Sequence, residues 1–71
     1  MAGYSEGTKV AWNWGNGTGT GAIVKIYTQK QTLTIKGSEV TRNASDDDPA
    51  YKIKQDDGDI VLKGHSEVTK A

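Results

Sequence analysis

Two tryptophans and three tyrosines, with no phenylalanine or cysteine, supply the side chains best suited to ligand chemistry in this 71-residue chain. Trp12, Trp14, Tyr27 and Tyr51 lie near the acidic run Asp46-Asp47-Asp48 or near scattered lysines. Exposed rings near carboxylates hold a quaternary or methylated ammonium by cation–π attraction, worth roughly 0.5 to 2 kcal/mol per contact. The same rings beside Lys25, Lys52, Lys54 or Lys63 would instead stack the bases of a single nucleic-acid strand. Packing competes for them, and Trp12 in particular suits a core position. Trp14, next to a turn, is expected to show a face.

Other constellations are weaker. Gly15, Gly17, Gly19 and Gly21 have the look of a phosphate loop, but that mechanism needs a helix N-terminus next. AIVKIY follows, β-branched and alternating, so the glycines are read as a hairpin turn with Asn16-Gly17 at positive φ. Asp46-Asp47-Asp48 and Asp56-Asp57-Gly58-Asp59 lack the D-x-D-x-D-G spacing and distal glutamate of a calcium loop. They are expected to be solvated loops that would form an acidic patch if they met. His65-Ser66 and the aspartates contain the letters of a hydrolytic triad without a water-excluding cleft, and His65 is expected in an exposed loop. Asn16-Gly17-Thr18 and Asn43-Ala44-Ser45 match the glycosylation sequon, which matters only in a secreted chain. No catalytic residue, metal ligand or cofactor site is expected.

Composition sets the frame for these residues. A chain this short makes one domain and buries only about 60% of its unfolded surface. Without cysteines, and with one histidine, neither disulfides nor a zinc centre can staple it. Nine basic and nine acidic side chains cancel, against a strongly electrostatic partner, although seven of the nine acids, six aspartates and Glu67, follow residue 43 and five of the nine bases precede it. There is no apolar run near the roughly 18 residues of a membrane span and no basic-then-apolar leader. A monomeric, cytoplasmic protein is the default expectation.

The elements follow from period-two patterning. Residues 1–5 are expected to form a loose tail, with Tyr4 dangling or folded back, and 6–71 the domain. Lys9 to Trp14 puts Val10, Trp12 and Trp14 on one face; Ala22 to Gln29 puts Ala22, Val24 and Ile26 on one face and Ile23, Lys25 and Tyr27 on the other, the pattern of a strand partly covered on both sides or bent around a corner. Gln31 to Gly37 turns Leu33 and Ile35 inward, and Tyr51 to Gln55 does the same with Tyr51 and Ile53. Asp57-Gly58 predicts a two-residue hairpin into Asp59 to Lys63, where Ile60 and Leu62 face in. Residues 43–49 read as a loop in which Ser45 and Asp48 could cap one helical turn, and His65 to Lys70 as a helical turn placing Val68 over an open end. The sum is an all-β, five-stranded barrel.

The order of these motifs resembles the bacterial and fungal family of hypervirulence-associated proteins with a TUDOR domain. The match runs through Gly7-Thr8-Lys9-Val10-Ala11-Trp12, Gly21-Ala22-Ile23-Val24 and Ile35-Lys36-Gly37 with Val40. It is tightest from Ala44 to Lys54, ASDDDPAYKIK, where the family typically reads A-S-x-D-D-P-x-Y-x-V-K. It departs late, with Lys63-Gly64 where a His-Lys pair is common, and His65 one step beyond. The resemblance implies an SH3-like, Tudor-type barrel and carries no catalytic or binding residues with it. Ring content and the acidic loop set the expectation of a non-enzymatic module that recognises a peptide or protein through Trp12, Trp14 and Tyr51, edged by Asp47 and Asp48. Weak nucleic-acid binding and a structural or stress-accessory role are the alternatives.

Overall fold

A computed structural model describes residues 3–71, all with their side chains except Trp14. Strands β1 (Lys9–Trp14), β2 (Gly17–Tyr27), β5 (Ala50–Gln55), β6 (Ile60–Gly64) and β7 (Thr69–Lys70) form an antiparallel sheet in the order β6-β5-β2-β1-β7. Strands β3 (Gln31–Ile35) and β4 (Ser38–Arg42) form a separate hairpin. The all-β barrel is as expected, with two strands beyond the five expected. Serine, glutamate and arginine hide β4 from a hydrophobicity pattern. The C-terminal segment is helical only over His65–Glu67, a single 3-10 turn, before β7 pairs with Val10 and Ala11.

The first hairpin turns at Gly15-Asn16, since Trp14 pairs with Gly17. Gly15 takes the positive φ, +49°, and Asn16 does not, which corrects the expected Asn16-Gly17 turn. A glycine alone at the first central position is the mark of a type II′ turn. The later glycines therefore belong to β2, and two of them make room for neighbours. A Cβ on Gly19 would lie 2.6 Å from the Trp12 indole across the ladder, and one on Gly21 2.6 Å from the Lys54 carbonyl oxygen.

Simple alternation fails in β2. Ile23 pairs with Ile53 and Lys25 with Lys52, so Val24 is the extra residue of a β-bulge and stands 44% exposed. Past the bulge Ile26 comes back to the core opposite Tyr51, so Ile23 and Ile26 share the inside although three positions apart. This overturns the grouping of Ala22, Val24 and Ile26 on one face. The core is Val10, Trp12, Ile23, Tyr51, Ile53 and Val68, with Tyr4, Ile26 and Val61 packed around it.

Asp57-Gly58 makes a three-residue loop in place of the expected two. Gly58 N–H donates to the Gln55 carbonyl at 2.9 Å, Gln55 N–H to the Asp59 carbonyl at 2.7 Å, and Gly58 holds φ +92°. This is a β-turn closed by a left-handed glycine. The β3–β4 turn, Lys36-Gly37, has φ +52° and +79°, the signature of type I′, with a lysine where glycine or asparagine is usual. Leu33, Ile35 and Val40 are half-buried, and ion pairs tie this hairpin to the body: Lys36 to Asp59 at 2.7 Å and Arg42 to Glu67 at 3.0 Å. Ile60 is likewise only half-buried, whereas Leu62 is enclosed. Ser45 and Asp48 exchange backbone hydrogen bonds at 3.1 and 3.2 Å in a tight turn, so no helix forms there.

Candidate functional site

Proline ends the acidic loop and aims the chain into β5. Pro49 is buried, its carbonyl accepts the His65 N–H at 2.8 Å, and two residues on Tyr51 is fully enclosed. A buried phenol must find partners for its hydroxyl. The Tyr51 oxygen accepts the Tyr4 backbone N–H at 2.9 Å and lies 2.8 Å from His65 Nδ1. With the Tyr4 N–H as donor to the oxygen, the hydroxyl's own proton finds an acceptor in Nδ1 when the imidazole proton sits on Nε2. Burial raises the Tyr51 pKa above its ordinary value, and the hydrogen bond from Tyr4 opposes that rise only in part.

Tyr4 is thus folded back. Its ring centroid is 5.0 Å from that of His65 and 6.0 Å from that of Tyr51, so three rings pack where the N-terminal arm crosses the barrel. Gly3 makes the crossing possible: at φ +118° a Cβ would sit 2.9 Å from the Tyr51 hydroxyl and 3.0 Å from Pro49. His65 is half-buried within this cluster, which corrects its expected place in an exposed loop.

Beside the arm opens a cavity of about 570 Å³ whose walls include Tyr4, Glu6, Ile26, Thr28, Asp46 and Pro49. Apolar surface from a ring, an isoleucine and a proline meets two carboxylates there. Sequence reasoning singled out neither Glu6 nor Ile26, and left Tyr4 undecided. The only local signal was one aromatic in an otherwise small and polar head.

The expected site residues are dispersed. Trp12, 5% exposed, and Tyr51, at 0%, are core, so neither offers a ring face to solvent and the expected cage of Trp12, Trp14 and Tyr51 is not assembled from them. The Trp14 side chain lies outside the described residues. Asp47 and Asp48 are exposed on the loop that also supplies Asp46 to the cavity. The two aspartate runs do not meet, because they flank opposite ends of six-residue β5, about 20 Å apart at the usual rise per residue. Asp56 pairs with Lys9 at 3.2 Å and Asp59 with Lys36. No metal-ligating group of three is found among the described residues.

Lys25 stands directly across the ladder from Lys52, with Lys54 two residues further along β5 on the same face. Lys25 Nζ also lies 5.7 Å from the Tyr27 ring centroid. Lys63 is set apart from these three, 3.9 Å from Glu67. Among the described residues no helix is long and apolar enough to cross a membrane.

A short curled antiparallel sheet, an appended hairpin and a cavity at its rim define a small Tudor-like β-barrel, a class of generally non-catalytic binding modules. The chain belongs to the family of hypervirulence-associated proteins with a TUDOR domain, whose model matches residues 7–68. No curated protein and no solved structure matches it. The match covers Ile26, Thr28, Asp46, Pro49, Tyr51 and His65, while Gly3, Tyr4 and Glu6 precede it.

Proposed function

We propose that this protein is a non-enzymatic binding module whose cavity takes a lysine or arginine side chain from a peptide or protein partner. The supporting observation is the cavity's composition: Tyr4, Ile26 and Pro49 beside Glu6 and Asp46. A long cationic side chain lays its methylene stem on apolar surface and carries its charge to carboxylates or a ring. The volume of about 570 Å³ lies within the usual range for ligand sites, and Asp47 and Asp48 extend the negative field along the same loop. On this reading Tyr4, beside Asp46 of the acidic loop, takes the place expected of Trp12 and Tyr51.

Amide-shift titration with lysine- and arginine-containing peptides tests this reading against isosteric neutral peptides. Shifts should concentrate at Tyr4, Glu6, Ile26, Thr28 and Asp46, and Asp46→Asn or Glu6→Gln should each weaken binding several-fold. Equal binding of the neutral peptides, or shifts confined elsewhere, would refute it.

The second reading rests on the cross-strand pair Lys25 and Lys52 with Lys54. Like charges directly opposite destabilise a ladder, and a polyanion would relieve that repulsion. A single-stranded oligonucleotide bound there would be lost as salt rises.

A further inference from the structure

We propose that the cavity is regulated by pH through a latch in which neutral His65 holds the N-terminal arm closed and its protonation releases it. This deepens the binding reading above, since Tyr4 and Glu6 of the arm form part of the cavity wall. The release of the arm itself needs no ligand.

The argument is a count of protons around one enclosed oxygen. The Tyr51 hydroxyl accepts the Tyr4 N–H and gives its only proton to His65 Nδ1, at 2.9 and 2.8 Å. Every partner is satisfied only while Nδ1 carries a lone pair. Once Nδ1 takes up a proton it becomes a donor. The Tyr51 oxygen then faces two N–H donors, and its own hydrogen has no acceptor in a site where the residue is fully buried. A buried polar hydrogen without a partner is unfavourable, and the simplest remedy is water. Lifting Gly3 and Tyr4 admits it, because these residues lie over the hydroxyl. The barrel can remain intact, for the arm adds no strand to either sheet.

His65 is packed against Tyr51 of β5, Tyr4 of the arm and the Pro49 carbonyl. Of the segments packed at this cluster, its own turn carries Glu67, held by Arg42 of β4 and Lys63 of β6, the arm carries Glu6, and the loop before Pro49 carries Asp46 and Asp48, the last acting electrostatically on Tyr51. The imidazole Nδ1 is the acceptor that a proton converts into a donor, so it is the group to switch the cluster.

The test is an NMR titration of the full chain from pH 8 to pH 5. At pH 8 the His65 ring should show the Nε2–H tautomer, with contacts between its protons and the Tyr4 ring. On acidification those contacts and the hydrogen-bonded Tyr4 amide shift should fade with the midpoint of the His65 ring, the closed-to-open ratio falling about tenfold. In His65→Gln the amide oxygen can accept the Tyr51 proton without titrating, and the arm should stay closed throughout. An Nδ1–H tautomer at pH 8, a ring that titrates while Tyr4 stays put, or equal opening in His65→Gln would overturn the latch. If His65→Gln does not fold, the tautomer and the shared midpoint in the native chain decide alone. A lysine peptide should bind about tenfold more weakly at pH 5 than at pH 8 in the native chain only. If no peptide binds at either pH while the arm still switches, the latch stands and the binding reading of the cavity falls.

Discussion

Gly19→Ala adds one methyl group and should nevertheless cost this domain a large part of its stability. The backbone at Gly19 has no positive φ, so alanine is conformationally acceptable there and, by restricting the unfolded chain, would by itself contribute about 0.4 to 1 kcal/mol of stability. The obstacle is Trp12. The new Cβ would lie 2.6, 2.7 and 2.8 Å from three indole atoms, at least 0.6 Å inside the 3.4 Å where ordinary contact begins. Trp12 is 5% exposed and belongs to the core, so its ring cannot step aside without disturbing its neighbours. Overpacking of this kind costs about 1 to 3 kcal/mol, leaving a net loss of roughly 0 to 2.6 kcal/mol, toward the upper end for contacts this short. For a domain of this size that lowers Tm by on the order of 10 °C. Urea and thermal unfolding of Gly19→Ala, Trp12→Leu and the double variant form the assay, with sucrose added to all four proteins to keep the weakest folded. Trp12→Leu removes all three contacting atoms, so in that background Gly19→Ala should be neutral or stabilising. A cost that is the same in both backgrounds, or no cost in the native chain, would refute the claim that β2 carries glycine here to seat the indole.

Three further outcomes follow from the same structure. Tyr51→Phe removes the oxygen shared by Tyr4 and His65 and should lower unfolding free energy by about 1 to 3 kcal/mol in urea titration, with residues 3–6 gaining mobility in ¹⁵N relaxation. Alkali should destabilise the fold: the Tyr51 pKa is raised by burial and that of Lys36 by its hydrogen bond to Asp59, so both native groups hold protons that the unfolded chain releases above about pH 10. The stabilisation is whole below the unfolded values and is lost as pH climbs through the folded ones; urea midpoints between pH 9 and pH 11.5 should fall, less so in Tyr51→Phe. At Lys36, where φ is +52°, a β-branched valine should cost about 1 to 2 kcal/mol, while asparagine, suited to a type I′ turn, should stay within about 0.5 kcal/mol of the native chain by thermal unfolding.

Much of the fold was legible because its signals are local. Alternation of apolar residues located β1, β3, β5 and β6, since each strand has one face to bury. The Asp-Asp-Pro-x-Tyr run located the start of β5 and the family. The bulge was not legible: nothing in Ile23-Val24-Lys25 announces an extra residue, which is decided by how β2 pairs with β5. The β4 strand escaped for a related reason, being half-exposed and held by pairing with β3 and by distant ion pairs.

The sequence by itself determined an all-β chain of short strands, a glycine-rich first hairpin and the absence of disulfide staples. These depend on neighbours a few residues apart, or on composition alone. The cavity and the Tyr4–Tyr51–His65 cluster were decided only by the tertiary structure. The bond that closes the arm joins residues 47 positions apart, and the enclosed hydroxyl gains its meaning from two partners on separate segments. Hydrogen-bond satisfaction in a buried place is a property of the assembled fold, and it turned an unremarkable head and a lone histidine into a candidate latch.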